Sequence, residues 1–154
     1  MKKLFVVLLL SASAILSTQA QEFNTIPSSN DLKLLADGWY KFDIEGTFFD
    51  TEIRAGKLVK GNIKWFDGSK YSGTLSGFEL SGKGTYTWPD GSRYEGALKK
   101  HQRHGKGSLI AMDGTKWSGK WKENKKNGKG KVFDAEGNVL KEGIWELNEL
   151  VAEK

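Results

Sequence analysis

A unit of 23 residues comes three times in succession, and it constrains this chain more than any other feature. Residues 71–93 read YSGTLSGFELSGKGTYTWPDGSR, residues 94–116 read YEGALKKHQRHGKGSLIAMDGTK, and residues 117–139 read WSGKWKENKKNGKGKVFDAEGNV. In register the copies share an aromatic-x-Gly opening, a Gly-Lys-Gly centre and an acidic-Gly close. A fixed period of this size marks a repeat array, in which each unit buries its apolar face only against its neighbours. Such an array presents a long surface, so a function built around one catalytic pocket fits it poorly.

Residues 48–70 are a worn fourth copy: Gly61 aligns with Gly84, Gly107 and Gly130, while Asp50 and Val59 stand where later copies have glycine. The acidic-Gly pairs Asp67 with Gly68, Asp90 with Gly91, Asp113 with Gly114 and Glu136 with Gly137 predict tight hairpin turns, because glycine tolerates the positive φ they need. Longer connections are expected at 76–81, 99–104 and 122–127, where Gly77, Asn124 and Asn127 are turn formers. Two strands per unit follow, with short turns on one rim and long turns on the other.

Alternation then assigns faces. Ile63, Trp65, Tyr71, Leu75, Tyr86, Trp88, Tyr94, Leu98, Leu109, Ala111, Trp117, Trp121, Val132 and Trp145 share one face. Lys83, Thr85, Thr87, Lys106, Ser108, Lys129 and Lys131 share the other. Gly73, Gly96 and Gly119, with Gly82, Gly84, Gly105, Gly107, Gly128 and Gly130 on the next strands, leave slots in which rings lie flat, a packing reason for a residue that weakens strands. Upstream, Asn30 and Asp31 cap a short helical turn through Leu32, Leu34 and Leu35, and residues 39–44 alternate as a first strand that covers the N-terminal edge. Abundant glycine, six Trp, and proline only at Pro27 and Pro89 agree with an all-β chain.

Lys2 and Lys3 precede an apolar run over 4–16, and small residues end at Ala20, the pattern of a signal peptide cleaved after Ala20. The run falls short of the roughly 20 apolar residues that span a bilayer. The expected product is exported, periplasmic or secreted. Without cysteine it holds together by packing alone. Loss of the two leader lysines leaves 22 basic against 19 acidic residues, a net charge of +3. Residues 97–131 hold 11 Lys and Arg against Asp113 and Glu123, a local +9, so the remaining mature residues are acidic overall. That asymmetry points to an anionic partner.

The three units resemble MORN repeats, on Tyr71, Ser72 and Gly73 through Gly82, Lys83 and Gly84 to Asp90 and Gly91 and the matching positions of the next two copies. Together with the leader, the resemblance implies an exported bacterial member: a signal peptide at 1–20, a leader and capping segment at 21–47, repeats at 48–146 with a partial unit at 140–146, and a closing segment at 147–154, either half a repeat or a short helix. It departs from the family at Phe78 and His101, where glycine is usual, at Leu75 and Leu98, where Trp is preferred, and at Asp134, where the copies before it carry an apolar residue. The fold implied is an elongated, twisted, single-sheet antiparallel β-meander of 23-residue hairpins. Strands about 4.8 Å apart would make ten of them roughly 45 Å long.

The resemblance also implies an interaction role, since family members bind partner proteins and, in some cases, anionic phospholipids. The expected groove is lined by Trp65, Tyr86, Trp88, Tyr71, Tyr94, Trp117 and Trp121 and takes a protein partner. The expected anion-binding set is Lys99, Lys100, Arg103, Lys106, Lys120, Lys122, Lys125, Lys126 and Lys129, facing an anionic membrane or another anionic envelope polymer. Nucleic acid is not expected, and the exposed sheet edges leave self-association open. No catalytic role, metal or cofactor is expected. The acidic-Gly carboxylates occupy equivalent turn positions that turn chemistry explains, His101 and His104 lack a third ligand, and the Gly-Lys-Gly centres lack the strand-to-helix setting of a phosphate loop.

Overall fold

The computed structural model describes residues 21–23 and 32–154. The leader with its cleavage after Ala20, and the cap at Asn30 and Asp31, lie outside them. All strands join one sheet in sequence order. They are β1 (Gln21–Phe23), β2 (Gly38–Ile44), β3 (Thr47–Arg54), β4 (Lys57–Lys64), β5 (Lys70–Ser76), β6 (Glu79–Thr87), β7 (Arg93–Lys99), β8 (Gln102–Ile110), β9 (Lys116–Lys122), β10 (Lys125–Phe133), β11 (Val139–Glu146) and β12 (Glu149–Glu153). β1 lies parallel to β2, and from β2 onward every neighbour pair is antiparallel. The sheet is an open all-β meander, as the repeats imply. At the described end of the expected helical turn, the Leu35 N–H donates to the Leu32 carbonyl at 3.3 Å. The closing segment is a strand, β12, rather than a helix.

The rims are the reverse of the expectation. The acidic-Gly connections are the longer ones, at 65–69, 88–92, 111–115 and 134–138. In the second, the Gly91 N–H donates to the Trp88 carbonyl at 3.0 Å and the Trp88 N–H donates to the Ser92 carbonyl at 2.9 Å. Gly91 at φ 86° then restores the strand direction, so the pair closes a turn inside a wider loop. The other rim holds two-residue turns. Lys100 and His101 (φ 49° and 64°) and Glu123 and Asn124 (φ 49° and 67°) are left-handed at both positions, as Asn124 tolerates better than most residues.

What holds these strained tips is the preceding hairpin. The N–H groups of Gly77, His101, Asn124 and Asn148 donate to the carbonyls of Leu58, Leu80, Arg103 and Lys126 at 3.0 to 3.1 Å. Each tip therefore bends over the hairpin before it. A bulge in each unit makes the bend: Gly73 faces Gly84 and Leu75 faces Leu80, so three residues of β6 stand against Thr74 alone. Gly82 at φ 91°, Gly105 at 69° and Gly128 at 97° sit in these bulges. They serve the bulge conformation and are not the ring slots expected of them.

The slots belong to the other glycines. Tyr71 lies on Gly84, Tyr94 on Gly107 and Trp117 on Gly130, where any Cβ would collide with the ring. Gly73, Gly96 and Gly119 pair with these across the strands and are equally crowded by backbone. Tyr71 and Tyr94 end 1% and 0% exposed, in one cluster with Tyr40, Phe42, Ile53, Leu58, Ile63, Leu75, Leu80, Leu98, Trp117, Trp121 and Trp145. Of the residues assigned to that face, Ala111 lies exposed in its loop.

Two glycine substitutions separate space from backbone conformation. Gly107→Ala should cost about 3 kcal/mol, since a methyl group must displace the Tyr94 ring. Gly91→Ala meets nothing within 4 Å and should cost only the left-handed penalty of about 1 kcal/mol. Chemical denaturation of both variants measures the difference.

Candidate functional site: an aromatic groove and a divided set of cations

The aromatic face is mostly core. Tyr71, Tyr94, Trp117 and Trp121 are buried and offer little to a partner. Trp65, Tyr86 and Trp88 are half-buried and pack in a row, with ring centroids 5.4 Å and 4.9 Å apart. They form one wall of a recess of about 380 Å³ that is also lined by Leu80, Tyr94, Leu98, His101, Arg103 and Asn124. The recess opens where the side chain is small. Leu98 matches Trp121 one repeat later, and Trp121 fills its position by packing edge-on to Tyr94 at 5.6 Å and Trp117 at 4.8 Å. The Leu98 departure from the family's Trp was visible in the sequence; that it opens a pocket was not.

The expected basic patch is divided between faces. Lys106 stands directly opposite Lys120 on the lysine face, and with Lys129, Ser108 and Ser118 they line a trough of about 540 Å³. Lys99, Lys100, Lys122 and Lys125 are exposed at or beside the two-residue turns. Arg103 and Lys126 turn the other way. Arg103 pairs with Leu98 and Lys126 with Trp121 in the strand register, which places both on the aromatic face. The Arg103 guanidinium lies 4.5 Å from the Trp121 ring centroid, and the Lys126 ammonium 4.9 Å from Trp145 and 5.4 Å from Trp117. Burial pushes both below their ordinary proton affinity, and for Lys126 the charge of Arg103 adds to it.

The turn carboxylates are engaged locally. Asp90 accepts the N–H (2.9 Å) and hydroxyl (2.6 Å) of Ser92, and Asp113 accepts those of Thr115 (2.9 and 2.7 Å). These bonds hold both carboxyls below the usual range. In the third copy the task passes from the Glu136 position to Asp134, which accepts from Asn138. That explains the acid at 134. Among the described residues no group of three His, Cys, Asp or Glu is placed to hold a metal ion, and no helix is long and apolar enough to cross a membrane.

The family model of the MORN repeat matches residues 71–93, 94–116 and 117–139. Those are the boundaries of the three copies, so the chain carries three MORN repeats. The repeat type supports a binding or scaffolding role, often in association with a protein or membrane. Comparison with curated proteins finds no match to the chain.

The buried phenols set an alkaline limit. Burial pushes Tyr71 and Tyr94 up to about 12, against about 10 in an unfolded chain. The core holds the neutral phenol, so its stability is intact below pH 10 and is lost as pH rises toward 12. Thermal melting should be flat between about pH 7 and 9.5 and fall steeply above, and Tyr94→Phe should shrink that fall.

Proposed function

We propose that this is an exported, non-catalytic binding module that holds a protein partner in the groove beside Trp65, Tyr86 and Trp88. The observation that carries this reading is the half-open aromatic row facing Leu98, on a face where Tyr71, Tyr94, Trp117, Trp121 and Trp145 are buried. Rigid aromatic side chains in a recess are the usual anchors of protein recognition, because they supply large contact area with little rotamer entropy to lose. The non-catalytic reading rests on Asp90 and Asp113 being occupied by their own turns. Export rests on the leader, and the native protein should then begin at Gln21.

Leu98→Trp fills the recess with the side chain that the next repeat already accommodates. The variant should fold as stably as the parent and lose the proteins that the parent captures from an envelope fraction, as should Trp88→Ala. Undiminished capture by both would refute the groove.

A second reading concerns the lysine face. Like charges directly opposed across two strands destabilise a sheet, and the Lys106 and Lys120 pair has no acidic partner within ion-pair distance among the described residues. An anionic envelope surface would relieve it, each cation adding about 1 kcal/mol near anionic lipid. Sedimentation with phosphatidylglycerol vesicles should weaken steeply with salt and vanish on changing Lys106, Lys120 and Lys129 to Glu. Unchanged sedimentation of that variant would dismiss the membrane reading.

A further inference from the structure

One position in the hairpin recurs through the array. The carbonyls that receive the next tip belong to Leu58, Leu80, Arg103 and Lys126. Leu58 and Leu80 bury their side chains in the core at 0% and 4% exposure, and Leu150, opposite Trp145, takes the same place in the last hairpin. Among the described residues only the hairpins of Arg103 and Lys126 put a cation there. A cation at a site built for leucine loses hydration, and such a site normally supplies a carboxylate in return.

Here it does not. Other partnered cations have acids: Arg54 and Lys60 meet Glu52, Arg93 meets Glu95, and Lys131 and Lys154 meet Glu142. Among the described residues no carboxylate lies within ion-pair distance of Arg103 or Lys126. Their neighbours are indole rings, and the two like charges act on each other. Both are held in place beforehand. Asn124 Oδ1 accepts the Arg103 backbone N–H at 2.8 Å, the Asn124 carbonyl accepts from the Arg103 guanidinium at 3.0 Å, and Asn148 Oδ1 accepts the Lys126 backbone N–H at 2.9 Å.

We propose that Arg103 and Lys126 form a carboxylate clamp on the aromatic face, which takes an acidic side chain of the protein segment lying in the groove. The proposal rests on the groove reading and names the chemistry of its partner. Arg103 lines the recess together with Trp65 and Trp88. A segment whose apolar side chain sits against those rings therefore brings its neighbouring carboxylate toward the guanidinium. The planar guanidinium matches a carboxylate in two parallel hydrogen bonds, and the partial burial of both cations strengthens the contact. A bilayer would meet the exposed lysines of the turns and the opposite face first, which favours a peptide as the occupant.

The test uses the mature chain and two short labelled peptides, one alternating glutamate and phenylalanine, the other with glutamine in place of each glutamate, read by fluorescence anisotropy. The parent should prefer the glutamate peptide by about tenfold or more. The double variant Arg103→Leu, Lys126→Leu installs the residue used at the equivalent positions. It should lose that preference while melting at the same temperature or higher, and Arg103→Gln alone should reduce the preference. Equal binding of the two peptides by the parent would overturn the clamp and leave the groove standing. If neither peptide binds and Leu98→Trp alters no capture, clamp and groove both fall. Loss of phosphatidylglycerol vesicle binding in the double variant, without peptide preference in the parent, would make the pair a headgroup site and overturn the proposal.

Discussion

A ring laid across a glycine is the contact on which this structure depends. A single sheet has no second layer to cover its apolar face, so the face must cover itself. Tyr94 does so by lying on Gly107, where no side chain intervenes, and its hydroxyl then donates to the Ala97 carbonyl at 2.7 Å. Tyr71 repeats the arrangement on Gly84 with the Thr74 carbonyl, also at 2.7 Å. The third unit substitutes Trp117, which gains edge contacts with Trp121 and Trp145. Its buried indole N–H has no hydrogen-bond partner among the described residues. Larger apolar area is thus exchanged for a hydrogen bond worth about 1 kcal/mol.

The bulge and the two-residue turn do the rest of the covering. Because each tip bends back and bonds to the hairpin before it, the second residue after the tip is carried over the aromatic row. Where that residue is leucine, the core closes. At Arg103 and Lys126 the same backbone delivers charge onto tryptophan. Packing and recognition therefore share one device, and the functional difference between units comes from one side chain in an unchanged frame.

The meander, its register and the apolar face were legible because each leaves a periodic trace: spacing fixes the hairpins, alternation fixes the faces, and Gly84, Gly107 and Gly130 mark where rings lie. The tight rim was not legible. Lys100 with His101 and Glu123 with Asn124 carry no common turn signature, since hydrogen bonds from a neighbouring hairpin, distant in sequence, hold them left-handed. The same omission misassigned Gly82, Gly105 and Gly128. The nine cations counted as one patch divide by strand alternation itself, which puts Arg103 and Lys126 on the face opposite Lys106 and Lys129. The groove was legible as a set of aromatics, but which of them stay open depends on whether Leu98 or Trp121 stands in front, a matter of volume that composition does not rank.

The array thus combines an open aromatic row beside Leu98 with cations where other hairpins keep leucine. The face closes over Tyr94, Trp117 and Trp121 and stays open beside Trp65, Tyr86 and Trp88. Hydrogen exchange of the indole N–H groups, followed by nuclear magnetic resonance with each Trp assigned by substitution, tests this most directly. Trp117, Trp121 and Trp145 should exchange only with global unfolding, whereas Trp65 and Trp88 should exchange rapidly from the folded state. Exchange of Trp117 and Trp121 as fast as that of Trp88 would contradict it, because the rings would then lie open along the whole sheet.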